Sequence, residues 1–327
     1  MSKERLRDFL FQKFYPGKEA MIENPVTKRA DVKIGFLCNN RCRHCVQGDK
    51  RQQYGNKTLR QIRGELRNAI SDGCTEVVFT GGEPTLHKDF LELVRCSKDL
   101  GFKSIQIQTN GRMFSYMDFC IRTIKAGAND FCLAVHGHTD SVHDYLTSVK
   151  GSFGQTIQGM RNLKSLNVRV ASNIVVSKVN YRHLPQIAKL LVVLGVDQFQ
   201  FAFPHPTGKA GENLPTIVPR MKEIIPYVKR GLEVGIKAGK RVMTEAIPYC
   251  LMVGYEDYVG EMSIPDTEVF ESDYKIDNYT EYRRNEGKSK GPECQRCKYR
   301  SVCEGPWREY PEVFGWDEFR PVLNNYV

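Results

Sequence analysis

No run of apolar residues in this chain is long enough to cross a bilayer. The longest, Leu190 to Val196, falls far short of the ~20 residues that a spanning helix needs. The opening residues "MSKERLRDFL" are charged and no apolar core follows them, so no secretory signal is visible. These absences predict a cytoplasmic protein without a membrane partner. Internal repeats and low-complexity blocks are also missing. Acidic residues are in deficit, with 38 Asp and Glu against 48 Lys and Arg, a net charge of +10. That balance favours acidic partners: an electron-carrier protein, anionic substrates or nucleic acid. It equally suits a well-solvated basic surface. A stretch interleaving aromatic with basic residues is missing, as is any appended RNA-binding module, so nucleic acid is not expected as a partner.

Disulfides are rare in the cytosol, so eleven cysteines, an odd count, point to metal ligation or buried thiols. Cys38, Cys42 and Cys45 form one set, and Cys294, Cys297 and Cys303 another. Cys74, Cys96, Cys120 and Cys132 are scattered through helix-like or strand-like segments and read as small buried hydrophobes. Cys250 stands alone.

Short β-rich runs alternate with amphipathic stretches. The strand-like runs cover 31–37, 76–82, 104–111, 130–137, 169–177 and 197–204, and helix-like stretches such as "TLRQIRGELRNAISDG" lie between them. Six βα units in a row predict a parallel sheet, doubly wound or curled into a barrel. Side chains alternate faces along a strand. This sends Gln106, Gln108, Asn110, Ala134, His136, Asn173, Gln200 and Ala202 inward, and Ile105, Ile107, Leu133, Val135, Ile174, Val176, Phe199, Phe201 and Phe203 outward. A closed eight-stranded barrel is plugged by branched apolar side chains. Polar-lined strands predict instead an α/β fold built as a partial (βα)6 TIM-like barrel with a ligand in its lumen. The barrel is expected over 31–240, after an N-terminal helical extension over 1–30. A small irregular lobe, rich in Pro, Tyr, Glu and Cys, is expected over 241–327.

The motif "CNNRCRHC" follows the first strand, on the edge where parallel α/β folds bind ligands. Its C-x₃-C-x₂-C spacing lets one loop wrap three corners of a cubane, leaving the fourth iron without a protein ligand. With "FTGGEPTLH" (79–87) ending the second strand and "IQTNGR" (107–112) the third, the sequence resembles the radical S-adenosylmethionine (SAM) superfamily over about 31–203. The resemblance implies that Cys38, Cys42 and Cys45 bind a [4Fe–4S] cluster whose open iron is chelated by SAM. It implies reductive cleavage of SAM to methionine and a 5′-deoxyadenosyl radical, which takes a hydrogen atom from a substrate. Gly81 and Gly82 would let the backbone approach the methionyl amino group, Glu83 would pair with that ammonium or a nearby Arg, and Pro84 would stiffen the turn. His44 stands where the family usually has a larger aromatic beside adenine. The family's "GxIxGxxE" pattern is not recognisable, so ribose and adenine contacts are expected from strand position, at Asn110, His136, Asn173, Phe201, Ala202 and Phe203.

The second set, "CQRCKYRSVC", again has three thiolates, and no cysteine follows Cys303. The fourth ligand must come from upstream, and Cys250 is the one lobe cysteine not already in a set. It sits where the related SPASM or Twitch lobes carry their first ligand. The resemblance implies one auxiliary [4Fe–4S] cluster on Cys250, Cys294, Cys297 and Cys303 in a Twitch-like arrangement, although four such cysteines also suit structural zinc. The expected partners are an acidic donor such as flavodoxin or ferredoxin and a substrate that is a peptide side chain, a nucleoside or sugar, or a cofactor precursor. A non-catalytic iron–sulfur or zinc scaffold explains the cysteines but gives "GGEP" no purpose. An RNA-modifying radical SAM enzyme is the further alternative.

Overall fold

Each predicted strand forms, with ends trimmed by a few residues, except the first, which is expected over 31–37 and forms at Lys28–Lys33. The computed structural model describes residues 28–48 and 50–323. The extension expected over 1–30 therefore lies almost wholly outside the described residues. The strands are β1 (Lys28–Lys33), β2 (Glu76–Thr80), β3 (Ser104–Thr109), β4 (Asp130–Ala134), β5 (Arg169–Val175), β6 (Gln198–Ala202), β7 (Arg241–Glu245), β8 (Asp266–Phe270) and β9 (Lys275–Ile276). They make one sheet in the order β7-β6-β5-β4-β3-β2-β1-β8-β9. Neighbours from β7 to β8 pair in parallel, and only β9 runs antiparallel, on β8.

The sheet does not stop at Lys240. Two strands absent from the six-strand expectation, β7 and β8, carry it into the segment assigned to the lobe, and β8 returns to pair with β1. β7 and β8 do not join, so the barrel stays open. Residues 277–323 then form irregular structure around the second cysteine set.

Helices follow from local sequence. In α1 (Leu59–Ser71) Thr58 caps the start, accepting from the Gln61 amide while the Gln61 side chain accepts from the Thr58 amide. That reciprocal pair satisfies two of the N–H groups a helix end leaves bare. Ile62, Leu66 and Ala69 recur on one face and are buried against the sheet. Burying an Ile or Leu is worth about 1.5–3 kcal/mol each. α2 (Phe90–Asp99), α3 (Met117–Ala126), α4 (Asp140–Thr147), α5 (Ser152–Ser165), α6 (Leu184–Val193) and α7 (Met221–Lys237) cover the same outer face. The apolar sides of the strands, including Ile107, Leu133, Ile174 and Phe199, join these helices in one core. The opposite sides face the lumen.

Candidate active site

The predicted inward set does line one cavity: Gln106, Gln108, Asn110, Ala134, His136, Asn173, Gln200 and Ala202. Its volume is about 2110 Å³, against about 300–1,000 Å³ for an ordinary ligand pocket. Phe201 is the exception among the expected contacts. It points outward and is fully buried, and a Cβ on Gly231 of α7 would touch its ring at 2.7 Å. The period-2 rule already assigns it there. Phe203 lines the cavity and packs edge-on against Tyr310, with centroids 5.3 Å apart.

Cys38, Cys42 and Cys45 open onto this cavity from the loop after β1. The loop is pinned from three sides. Arg41 and Arg43 amides donate to the carbonyls of Thr147 and Leu146 (2.9 Å each) at the end of α4. The Arg51 Nη1 donates to the Asn40 carbonyl at 2.7 Å, and the Arg112 Nη1 donates to the Asn39 carbonyl at 2.5 Å. The Asn40 amide donates to Cys38 Sγ at 3.4 Å. Burial pushes the Cys42 thiol up, and the neighbouring thiols of Cys45 and Cys38 push it further, while Arg51 opposes them. Three crowded thiols with an N–H and a guanidinium beside them form a donor set that deprotonates when a cationic metal core arrives.

The glycines of "GGEP" serve the protein first. A Cβ on Gly81, at φ +110°, would stand 2.3 Å from the Gly35 carbonyl oxygen, and one on Gly82 would stand 2.3 Å from that of Leu37. Their close approach is to the backbone leading into Cys38. Hydrogen bonds from Gly82 N to Gly35 O (2.8 Å) and from Glu83 N to Leu37 O (2.7 Å) seal it. Glu83 is a brace too. Its Oε1 accepts from the Thr85 amide (3.2 Å) and from the hydroxyls of Thr85 (2.6 Å) and Thr109 (2.7 Å), while Oε2 accepts from the Asn110 amide (2.7 Å). No arginine among the described residues pairs with it. Burial raises its pKa, and these donors oppose the rise. Oε2 keeps lone-pair capacity toward the cavity that Glu83 lines. Pro84 is buried at the start of the short turn Pro84–Leu86 that Glu83 caps.

His44 and His136 meet edge-on, with ring centroids 4.3 Å apart, and His143 stacks behind His136 at 5.8 Å. Burial pulls His44 down to about 4 and His136 well below its ordinary range, so both are neutral. His44 Nδ1 is buried without a partner. The Asn110 side chain is turned to the cysteine loop, donating to Asn39 Oδ1 at 2.6 Å. Asn173 accepts from Gln200 Nε2 at 3.3 Å. Cys132, expected in the core, lines the lumen, where burial pushes it up to about 12.

Cys250, Cys294, Cys297 and Cys303 line a second, small pocket walled by Trp316 and Phe319, with Lys290, Arg300 and Arg320 around it. Burial pushes Cys250 up to about 12, and Cys303, Cys294 and Cys297 add to the rise in that order. All eleven cysteines are free thiols. Among the described residues no three or more His, Cys, Asp or Glu side chains converge as the ligands of one metal ion would. Each cysteine set instead lines a space.

Sequence reasoning missed Glu245 at the end of β7 and Arg283 beyond β9, both of which line the lumen. The alternation in "RVMTE" is the signal that could have found Glu245.

An open parallel barrel with three thiols at the carboxyl end of its strands, facing a polar lumen, defines a cofactor-binding α/β domain. A family model of the Radical SAM superfamily matches residues 32–191. That superfamily implies a [4Fe–4S] cluster and SAM as cofactors, and Cys38, Cys42 and Cys45, crowded on one loop, fit the cationic core of such a cluster. The chain is 26% identical over 190 residues to the AdoMet-dependent heme synthase of Oleidesulfovibrio alaskensis, covering 58% of this chain and 48% of that protein. It is 26% identical over 178 residues to the probable GTP 3',8-cyclase of Sulfurisphaera tokodaii, covering 54% and 56%. The chain thus spans about half the length of the curated relatives it matches. Its fold resembles that of Streptococcus suis SuiB bound to S-adenosylmethionine, with a TM-score of 0.64 at 17% identity, covering 85% of this chain and 72% of that one. No helix among the described residues is long and apolar enough to cross a membrane.

Proposed function

We propose that the protein is a radical SAM enzyme that holds its SAM-binding [4Fe–4S] cluster on Cys38, Cys42 and Cys45 and takes a hydrogen atom from a polar substrate in the lumen. One observation carries this reading: a pinned loop presents three thiols to a polar cavity beside the braced Glu83. When bound, the two cofactors supply one-electron reductive cleavage of SAM to methionine and a 5′-deoxyadenosyl radical. The chain's own residues prepare the space. Gly81 and Gly82 lock the strand-end loop onto the cysteine loop, Glu83 offers Oε2 to the methionyl ammonium, and the neutral His44 and His136 present ring edges without adding charge. The cavity has room for SAM and a second ligand. The substrate is a peptide side chain, a nucleoside or sugar, or a cofactor precursor. Relatives named for haem and for GTP support no single choice, because one fold hosts many substrates.

Cys250, Cys294, Cys297 and Cys303 hold an auxiliary [4Fe–4S] cluster in a Twitch-like lobe on this reading, supported by their sharing one pocket with three nearby cations. The electron donor is an acidic flavodoxin or ferredoxin, to which the +10 charge is complementary. Turnover with such a donor should fall with added salt more than turnover with dithionite.

The test is anaerobic reconstitution followed by reduction with SAM present. Wild type should release 5′-deoxyadenosine and methionine, and Cys42→Ala should release neither. A loaded, reduced wild type that makes no 5′-deoxyadenosine, even with cell extract added, would leave the scaffold reading standing. A protein with Cys38, Cys42 and Cys45 all changed to Ala should still bind iron. If it holds tightly bound zinc and no iron, the auxiliary-cluster assignment fails while the radical chemistry stands.

A further inference from the structure

Among the carboxylates that line the lumen, Glu76 is paired with Arg29 at 2.9 Å and Asp130 with Arg169 at 2.5 Å, whereas Asp31 accepts from the Thr80 hydroxyl and Glu83 from neutral donors. Glu245 also lacks an ion pair among the described residues. It ends β7 at the ligand-binding edge of the sheet, and its Oε2 accepts from Gln200 Nε2 at 2.9 Å. Two cations stand near it. Lys288 is bound to Glu261 (2.8 Å) and Glu304 (3.1 Å), and Arg283 to Glu304 through two hydrogen bonds of 2.9 Å that leave its buried Nη1 without a partner. Arg284 reaches Glu304 from outside at 3.6 Å. Glu245 is half-buried, and withdrawing a carboxylate from water without a cation is costly unless something arrives to pair with it.

The backbone beside Glu245 carries a second sign. Ala246, fully buried, has φ +58°, a left-handed conformation uncommon for any residue but glycine. It is held there by the Glu261 Oε1, which accepts from the Ala246 amide at 2.8 Å and also binds Lys288. Strain of this kind persists only where surrounding structure over-determines it, and it concentrates at functional sites. The neighbour of Glu245 across the sheet is Ala202, whose methyl leaves the carboxylate uncovered. Tyr279 and Tyr282, stacked with centroids 6.1 Å apart, line the same cavity, and the Arg283 guanidinium already stands over the Tyr279 ring at 5.0 Å, as ring faces favour a cation. Burial, and next the charge of Glu245, push the Tyr279 phenol up to about 12.

We infer that Glu245 receives a cationic nitrogen of the substrate, an ammonium or a guanidinium, and so selects a substrate that carries one. This rests on the radical SAM reading and narrows its substrate class. Ala246 and Glu261 act through Glu245 as positioning residues, and Gln200 fixes one of its oxygens.

The test measures binding to the reconstituted full-length protein with SAM present, by anaerobic titration calorimetry. The probes are the blocked tripeptide acetyl-Gly-Lys-Gly-amide, its neutral norleucine counterpart, and n-butylamine. Wild type should prefer the lysine tripeptide to the norleucine one by about tenfold or more, the scale of a hydrogen bond to a charged group. Glu245→Gln, which keeps the size and can still accept from Gln200, should abolish that preference while leaving SAM affinity unchanged. Tighter binding of the lysine tripeptide than of butylamine assigns the cation to a peptide, and equal binding assigns it to a small amine; both outcomes support the role of Glu245. Equal affinity of wild type for the charged and neutral tripeptides overturns the inference. So does a parallel loss of SAM affinity in Glu245→Gln, which would give the carboxylate to the cofactor. Failure to cleave SAM strikes the proposed function, whereas a wild type that cleaves SAM but shows no charge preference strikes only this inference.

Discussion

Replacing Gly82 with Ala should cost far more than one methyl group suggests. The added Cβ would stand 2.3 Å from the Leu37 carbonyl oxygen and 2.6 Å from the carbonyl carbon and oxygen of Phe36. All three are backbone atoms, so no flexible side chain can yield. Relief requires the "GGEP" loop to back away, breaking the bonds from Gly82 N to Gly35 O and from Glu83 N to Leu37 O. Two such bonds are worth about 1–3 kcal/mol net, and overpacking adds about 1–3 kcal/mol. The expected loss is about 2–6 kcal/mol, large beside a typical native stability of about 5–15 kcal/mol. Leu37 precedes Cys38, so iron retention should fall as well. The control is Gly64→Ala in α1, where the new methyl meets nothing within 4 Å. There the same substitution should stabilise by about 0.5–1 kcal/mol, because alanine is the better helix former. Anaerobic urea unfolding of both variants, with iron content assayed alongside, reads the contrast. If Gly82→Ala unfolds within about 0.5 kcal/mol of wild type, the resolution at which surface changes become indistinguishable, or if Gly64→Ala falls with it, the packing argument is refuted.

Arg283→Met should destabilise the protein by about 3 kcal/mol, the lower end of the range for breaking a buried pair. Glu304 would keep Lys288 at 3.1 Å, and chemical denaturation reads the difference. Asp144 is pushed up by burial but held below its ordinary value of 3.8 by stronger opposing bonds from the amides of Phe153 and Gly151 and the hydroxyl of Ser152. Its folded value lies below its unfolded one, so the stability it contributes is present above pH 3.8 and is lost as pH falls through the folded value. Asp144→Asn should therefore flatten the acid limb of a stability–pH curve, and an unchanged limb would contradict this. Cys250→Ala, made in the protein that already lacks Cys38, Cys42 and Cys45, should weaken iron binding or open a coordination site. An identical Mössbauer spectrum and iron content would exclude Cys250 as a ligand.

Where a pattern is local, the sequence carried it. The alternation of Ile105, Gln106, Ile107 and Gln108 reports a strand with one wet face, and Thr58 followed by Gln61 reports a helix start. β7 and β8 were harder to see. "RVMTE" is only five residues long, and "DTEVF" is a strand because β1 offers it an open edge, a fact with no local signature. The purpose of Gly81 and Gly82 was illegible for the same reason: the atoms that exclude a side chain belong to Gly35 and Leu37, which the fold brings from more than forty residues away. Phe201 was lost by trusting the position of a strand end over the alternation rule that governs it. Glu245 stayed hidden because an unpaired carboxylate is recognised only after every cation near it has been assigned.

The return of β8 to β1 sets a timetable for the molecule's birth. β1 (Lys28–Lys33) leaves the ribosome long before β8 (Asp266–Phe270), yet they lie side by side over five residue pairs. Until β8 is made, β1 has a bare edge of N–H and C=O groups, a template for unwanted pairing. Chains grow at about 5–20 residues per second, so that edge, and the cysteine loop that follows it, wait tens of seconds beside a half-built wall. Iron delivery during this interval would meet a loop still open to solvent on the side of β1 that β8 later covers. β8 thus acts as a latch, and a nascent chain stalled before Asp266 should be the form most prone to aggregation and most readily loaded with metal.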